Sequence, residues 1–170
     1  VAFQVYNNLR EDAASIAAVN ETKGQVVFAE NQVAETYFYS VSAGVSAGIK
    51  EVWFAKKDRS YLMPCVLLGD SRKTLDLQKE ADFSKFLKDE TKSYDTNSPW
   101  YRWRTTVSEK QLQQFISEKI KSRYEKNPTQ IQTKQKDGTF FSTGQTELGE
   151  IKKVEILKRG KSGVAVMAQI

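Results

Sequence analysis

The apolar residues of this chain come in short runs, each closed off by polar or turn-forming residues. None approaches the ~18–20 consecutive apolar positions that cross a bilayer, so nothing reads as a transmembrane helix. Short alternating runs with frequent breaks favour strands joined by hairpins, with a few amphipathic helices between them. Across 170 residues, 39% are hydrophobic, 28% are charged, and there are only 9 Gly and 3 Pro. That is apolar material for one core, and it excludes collagen-like and wholly disordered chains. The expected fold is therefore α+β: one domain over 1–170, mostly antiparallel strands and hairpins with a few helices and more strand than helix.

The segments follow from local pattern. VAFQVY (1–6) alternates as a short strand, and Ala13–Asn20 reads as an Ala-rich helix stopped near Gly24. QVVFA (25–29) and VAETYFYSV (33–41) read as a hairpin about the polar break Glu30-Asn31-Gln32. SAGVSAG (42–48) contains small residues only and reads as a loop that another backbone or a ligand can approach closely. IKEVWF (49–54), SYLMPCVLL (60–68) and WYRWRTTV (100–107) read as strands, with Pro64 marking an edge or bulge. DFSKFLKDE (82–90) reads as a short helix capped by Asp82. The clearest helix is Ser108–Tyr124. Its S-x-x-Q capping box joins Ser108 to Gln111, and Leu112, Phe115, Ile116, Ile120 and Tyr124 share one face. Gln130–Lys134 is a further strand before the Lys136-Asp137-Gly138 turn. The chain closes on two strands joined at Arg159–Gly163.

The chemistry is bounded by what the chain lacks. It has no His and only Cys65. Ser-His and Cys-His catalysis, HExxH zinc sites, internal disulfides and Cys-cluster metal sites are thereby excluded. No phosphate-loop, dinucleotide or nucleophile-elbow motif is present, so no cofactor and no metal are expected. The net charge is +5, which suits either an anionic partner or simple solubility. The basic stretch Lys152–Lys161 reads as a solvated face, and nucleic acid is not an expected partner. Glu35, Glu51 and Glu147 read as solvated surface groups, so no catalytic acid is assigned.

Two groups of residues are candidates for binding. Trp53, Phe54, Trp100, Tyr101 and Trp103 suit either stacking on sugar rings or ordinary packing. In YFYSVSAGVS (37–46), Ser40, Ser42 and the glycine loop suit either a polar polymer or local backbone capping.

The stretch AVNETKGQVVFAENQVAETYFYSVSAGVSAGIKEVW (18–53) resembles the SpoIID/LytB family, named for stage II sporulation protein D. Thr22 and Gly24 match that family's A-V-x-x-T-x-G element. Tyr37, Tyr39, Ser40, Ser42 and Gly44 match its Y-x-S-x-S-x-G-like block, and Trp53 matches the aromatic that follows. FQVY (3–6), YLMPC (61–65), SPWYRW (98–103) and VEILKRGKSG (154–163) are also similar in order and spacing. Val164 departs from the Arg that relatives commonly place there.

The resemblance implies extracytoplasmic work on peptidoglycan, by a secreted or membrane-anchored protein of the cell envelope. Sporulation members are lytic transglycosylases that cut denuded glycan strands, and LytB-type relatives assist wall hydrolases. Tyr37, Tyr39, Ser40, Ser42 and Gly44 are then expected to line a glycan groove, with Trp53 and Gln4 near its wall. The family's glutamate lies in an E-M-P-like segment ahead of the QVY strand. Val1 opens directly on that strand, so the expectation is the C-terminal major part of such a domain, without a catalytic residue of its own. Its partners are then peptidoglycan strands, other wall hydrolases or its own N-terminal segment. Members that bind zinc do so through His and Cys, which this chain cannot supply. A non-catalytic wall-binding domain is the alternative.

Overall fold

The computed structural model describes residues 10–53, 55, 57–68, 75–89 and 92–170. The strand expected at 1–6, and Gln4 within it, lie outside the described residues. The fold is α+β, and among the described residues every sheet is a two-stranded antiparallel hairpin. The chain divides into two compact units, Val1–Phe38 and Tyr39–Ile170.

The first unit holds helix α1 (Ala13–Glu21) and the hairpin β1 (Phe28–Ala29) and β2 (Gln32–Val33). Asp12 caps α1: its Oδ1 accepts the N–H groups of Ala14 and Ser15, both at 3.0 Å. These are two of the donors that a helix start leaves without an internal partner. The helix ends at Thr22, and Gly24 follows with φ +78°. Glu30 and Asn31 turn the hairpin with φ +52° and +59°, the paired positive angles that match the twist of two antiparallel strands. The ladder is shorter than the alternation of 33–41 predicts. Past Val33, the Ala34 N–H still donates to the Val27 carbonyl at 2.8 Å, and residues 35–41 then run on unladdered.

The second unit contains α2 (Ile49–Val52), α3 (Glu80–Lys88), α4 (Glu109–Lys126), the pair β3 (Thr133–Lys134) and β4 (Phe140–Phe141), and the pair β5 (Glu155–Arg159) and β6 (Ala165–Gln169). The last hairpin forms where expected, with its tight turn at Gly160–Gly163. Helix α4 starts on Ser108, whose Oγ accepts the Gln111 N–H at 3.3 Å while Gln111 Oε1 accepts the Ser108 N–H at 3.1 Å. Its apolar face buries Ile120 and half-buries Leu112, Ile116 and Tyr124, whereas Phe115 stays exposed. Gln113 ties α4 to the chain beside it, donating to the Gly149 carbonyl and accepting the Ile151 N–H, both at 2.9 Å.

Helix takes a larger share than the sequence pattern predicts. Residues 49–52 coil instead of extending, because Glu51 folds back to accept the Gly48 N–H at 3.1 Å and closes a helical start. Residues 60–68 are not one strand: a 3₁₀ turn spans Ser60–Leu62, and only Val66 and Leu68 make single bridges, to Val45 and Ser93. Pro64 has no N–H to extend that ladder. Residues 100–107 are turn and loop, with Arg102 at φ +50°. Helix α3 is capped at Lys79, and Asp82 sits in its first turn, 3.5 Å from Lys85.

The core of this unit gathers around α3. Leu77 and Phe86 are buried, and Phe83 lies 6.3 Å from Phe86, ring centre to ring centre. Arg102 covers Phe86 at 4.4 Å, and Arg159 covers Phe83 at 3.8 Å. Two guanidinium planes thus close an aromatic core with cation–π contacts.

Candidate functional site

The loop 42–48 is held in a single shape by bonds within the second unit. Ser42 is buried, and Asp95 Oδ2 accepts both its N–H at 2.8 Å and its hydroxyl at 2.7 Å. The same hydroxyl oxygen accepts the Gly44 N–H at 3.1 Å. Two donors converging on one oxygen hold the Asp95 carboxyl below its ordinary value, the hydroxyl contributing most and the backbone N–H next. Further along, Ser46 and Cys65 exchange bonds: Ser46 N–H to the Cys65 carbonyl at 2.8 Å, and Cys65 N–H to Ser46 Oγ at 2.9 Å. Leu67 N–H donates to the Gly44 carbonyl at 2.8 Å.

Gly44 is glycine for two reasons. Its φ is +100°, and a Cβ there would run into the Leu68 side chain and come within 3.5 Å of the Tyr101 hydroxyl. The segment after Trp100 therefore packs directly against the loop. Arg102 Nε donates to the Ala43 carbonyl at 3.2 Å, and Arg102 Nη1 donates to the Asp89 carbonyl. The guanidinium lies 4.4 Å from the centre of the Phe86 ring and 5.0 Å from that of Tyr101. On either side of this anchored pair, Trp100 and Trp103 are 68% and 64% exposed.

The expected site residues are distributed unevenly. Ser42 and Gly44 are inner parts of the loop, joined to each other and to Asp95, and the Ser42 hydroxyl is already committed. Tyr39, Ser40 and Trp53 are exposed in the second unit, Trp53 closing α2 with its N–H on the Ile49 carbonyl at 3.0 Å. Tyr37 belongs to the first unit and is exposed there.

Sequence reasoning missed three residues. Asp95 and Arg102 are not among the candidates that the sequence offers. Glu51 reads as a solvated carboxylate, which the structure corrects. Its oxygens accept the Gly48 N–H at 3.1 Å, the Ser162 N–H at 3.2 Å and the Ser162 hydroxyl. Ser162 is buried in the turn between β5 and β6, so Glu51 latches that turn onto α2. A Cβ on Gly160 would overlap the Glu51 carboxylate. No signal short of the fold announces a pairing across 111 positions.

Residues 47–139 match the family model of a domain of unknown function, DUF8618. The chain belongs to that family. The DUF8618 match begins inside the loop, takes in α2, α3, the Trp100–Trp103 segment, α4 and β3, and stops just before β4. No curated protein and no solved structure matches the chain. Among the described residues, no cluster of acidic or sulfur ligands is disposed to hold a metal ion, and no helix is long and apolar enough to cross a membrane.

Proposed function

We propose that this DUF8618 chain is a peptidoglycan-acting domain of SpoIID type. It holds denuded glycan strands along the 42–48 loop, and acts as a lytic transglycosylase when complemented by a glutamate-bearing segment. The observation that carries this reading is the packing of Tyr101 and Arg102 on Ala43 and Gly44. It joins the hydroxyl-and-glycine block to the WYRW stretch, leaving Trp100 and Trp103 open on its flanks. Broad aromatic faces beside a fixed polar backbone suit sugar rings, whose C–H faces stack while their hydroxyls take hydrogen bonds.

In this chemistry one glutamic acid protonates the glycosidic oxygen, and its carboxylate then accepts the proton of the muramyl C6 hydroxyl. The bond from C1 to the leaving oxygen breaks as C6–O–C1 forms, leaving a 1,6-anhydro end without a water nucleophile. Glu51 is a poor candidate for that acid, since three donors already occupy its oxygens. The work belongs outside the cytoplasm, at the envelope, beside other wall hydrolases.

The test is cosedimentation with denuded sacculi, followed by analysis of released muropeptides. Residues 1–170 alone are expected to bind and to release no anhydro ends, and addition of a glutamate-bearing segment is expected to restore release. Anhydro ends released by the chain alone would place the acid within it. The second reading, a non-catalytic wall-binding domain, is favoured by the +5 charge; salt-sensitive binding lost when teichoic acid is stripped would support it.

A further inference from the structure

A cavity of about 1330 Å³ opens in the second unit, running along α4, β3 and the β5–β6 hairpin. Residues 166–170 line it without a gap, and so do residues 129–134, which lead into β3. Side chains alternate between the two faces of a strand, so an unbroken run lines one space only by presenting its backbone as well. Among the described residues β6 pairs with β5 alone, and no backbone bond beyond that hairpin involves 166–169. Alternate residues of such an edge turn their N–H and C=O groups outward, where another chain can pair with them. Ile131, Val166 and Met167, all half-buried, supply the apolar part of the wall.

The charges around the cavity do not balance. Lys50 is paired with Asp58 at 2.8 Å, Arg159 with Glu80 at 2.6 Å, and Glu51 is taken up by Ser162. That leaves Arg123, Lys134, Lys158 and Lys161 beside Glu147, and among the described residues none of these four exposed cations has an acidic partner. The geometry points to this cavity as the docking site of an extended, acidic segment of a partner protein. That segment adds to β6 as a third strand and sets its carboxylates against the four cations. The inference goes beyond the peptidoglycan reading and does not rest on it. Only another polypeptide repeats N–H and C=O groups at the two-residue spacing of a strand edge. The five residues of β6 offer about 17 Å of that edge. With carboxylates on alternate residues, one face of the segment meets the cations while the other lies on the apolar wall. A nucleic acid would call for aromatic faces on which its bases stack, and Phe140 alone among the lining residues offers a ring.

The experiment compares binding of four probes by the full 170-residue chain. The first is a short end-blocked peptide alternating glutamate with valine. The second is the same peptide with glutamine for glutamate, and the third keeps the glutamates but carries N-methyl groups on alternate backbone nitrogens, prepared in both registers. The fourth is a glycerol-phosphate polymer. The glutamate peptide is expected to bind about tenfold tighter than the glutamine peptide, a preference that falls with salt. It is also expected to bind about tenfold tighter than one of the two N-methylated registers, and to slow amide hydrogen exchange within 165–169. The triple variant Lys134→Gln/Lys158→Gln/Lys161→Gln is expected to bind the two unmethylated peptides alike; these side chains are exposed, so its circular dichroism and melting should match the parent. No binding of the glutamate peptide, equal binding of the glutamine peptide, or an unchanged preference in the triple variant overturns the inference. Both N-methylated registers bound as tightly as the glutamate peptide, with exchange in β6 unchanged, would reduce the site to charge alone and overturn strand addition. Tighter binding of the glycerol-phosphate polymer, lost in the triple variant, reassigns the cavity to a phosphodiester. Slow exchange in β6 that appears without peptide as protein concentration rises reassigns it to a second copy of this chain. Either reassignment also overturns the inference.

Discussion

Ser42 gives both its hydroxyl and its backbone N–H to one oxygen of Asp95, 53 residues away, at 2.7 and 2.8 Å. A buried serine bonded in this way fixes the loop from below, since any slip of the backbone would strand two donors at once. Ser42→Ala removes one donor and the acceptor of the Gly44 N–H, and is expected to cost about 1–2 kcal/mol in urea unfolding. An unchanged midpoint would mean that the loop is held elsewhere.

The same pair sets a pH dependence. The folded-state pKa of Asp95 lies below its ordinary 3.8, so the stability it lends is fully present above about that pH. It is lost as the pH falls through the lower folded value. Asp12, Glu80 and Asp137 shift in the same direction, each held down by its own donors, so the Asp95 share must be read as a difference. The stability gap between the parent and Asp95→Asn is expected to be flat from neutral pH down to about 3.8 and to close below it. A gap that closes near neutrality would assign the effect to another group.

Gly160 and Glu51 share one space. Gly160→Ala pushes its new methyl into the Glu51 carboxylate, and the expected destabilisation is about 1–3 kcal/mol. Glu51→Ala leaves the buried Ser162 donors without their acceptor, at a similar cost of about 1–3 kcal/mol. The double variant is expected to lose less than the sum, since the alanine at 51 removes the overlap. Strict additivity would show that the two do not meet.

Arg159 makes three kinds of contact: two bonds to Glu80 at 2.6 and 3.1 Å, one to the Gly163 carbonyl at 2.8 Å, and stacking on Phe83. Lysine keeps the charge but not the planar fork. Arg159→Lys is therefore expected to lower stability by about 1 kcal/mol, chiefly through lost stacking and the lost Gly163 bond. Thermal unfolding read by near-ultraviolet circular dichroism would register it.

Trp100 and Trp103 bury little, so Trp100→Ala and Trp103→Ala are expected to change stability by no more than about 0.5 kcal/mol. Affinity for denuded sacculi is expected to fall about tenfold for each ring that stacks, equivalent to ~1.4 kcal/mol. Full retention of affinity in both variants would remove the aromatic flanks from the site.

Local sequence carries much of the outline. The Ser108–Gln111 box, the Gly138 turn and the closing hairpin each form where residues a few positions apart predict them. The misread segments fail for a common reason. IKEVWF alternates well enough for a strand, yet it coils at Gly48, and its Glu51 is held by Ser162. WYRWRTTV is rich in strand-forming residues, yet Arg102 turns it at φ +50° to reach Ala43 and Asp89.

Of the candidate site, the sequence alone marks out the small-residue loop and the exposed tryptophans, because size, ring and hydroxyl are properties of single residues. It also settles which chemistry is closed to the chain, since histidine is missing and one cysteine cannot pair within the chain. Tertiary structure decides which hydroxyl is spent inward on Asp95, which glutamate is tied down by Ser162, and which lysines share one cavity wall. Helix caps and turns are satisfied by neighbours within a few residues of chain. The partner of a carboxylate or a buried hydroxyl is whichever group the fold brings to it, and sequence distance does not limit where that group lies.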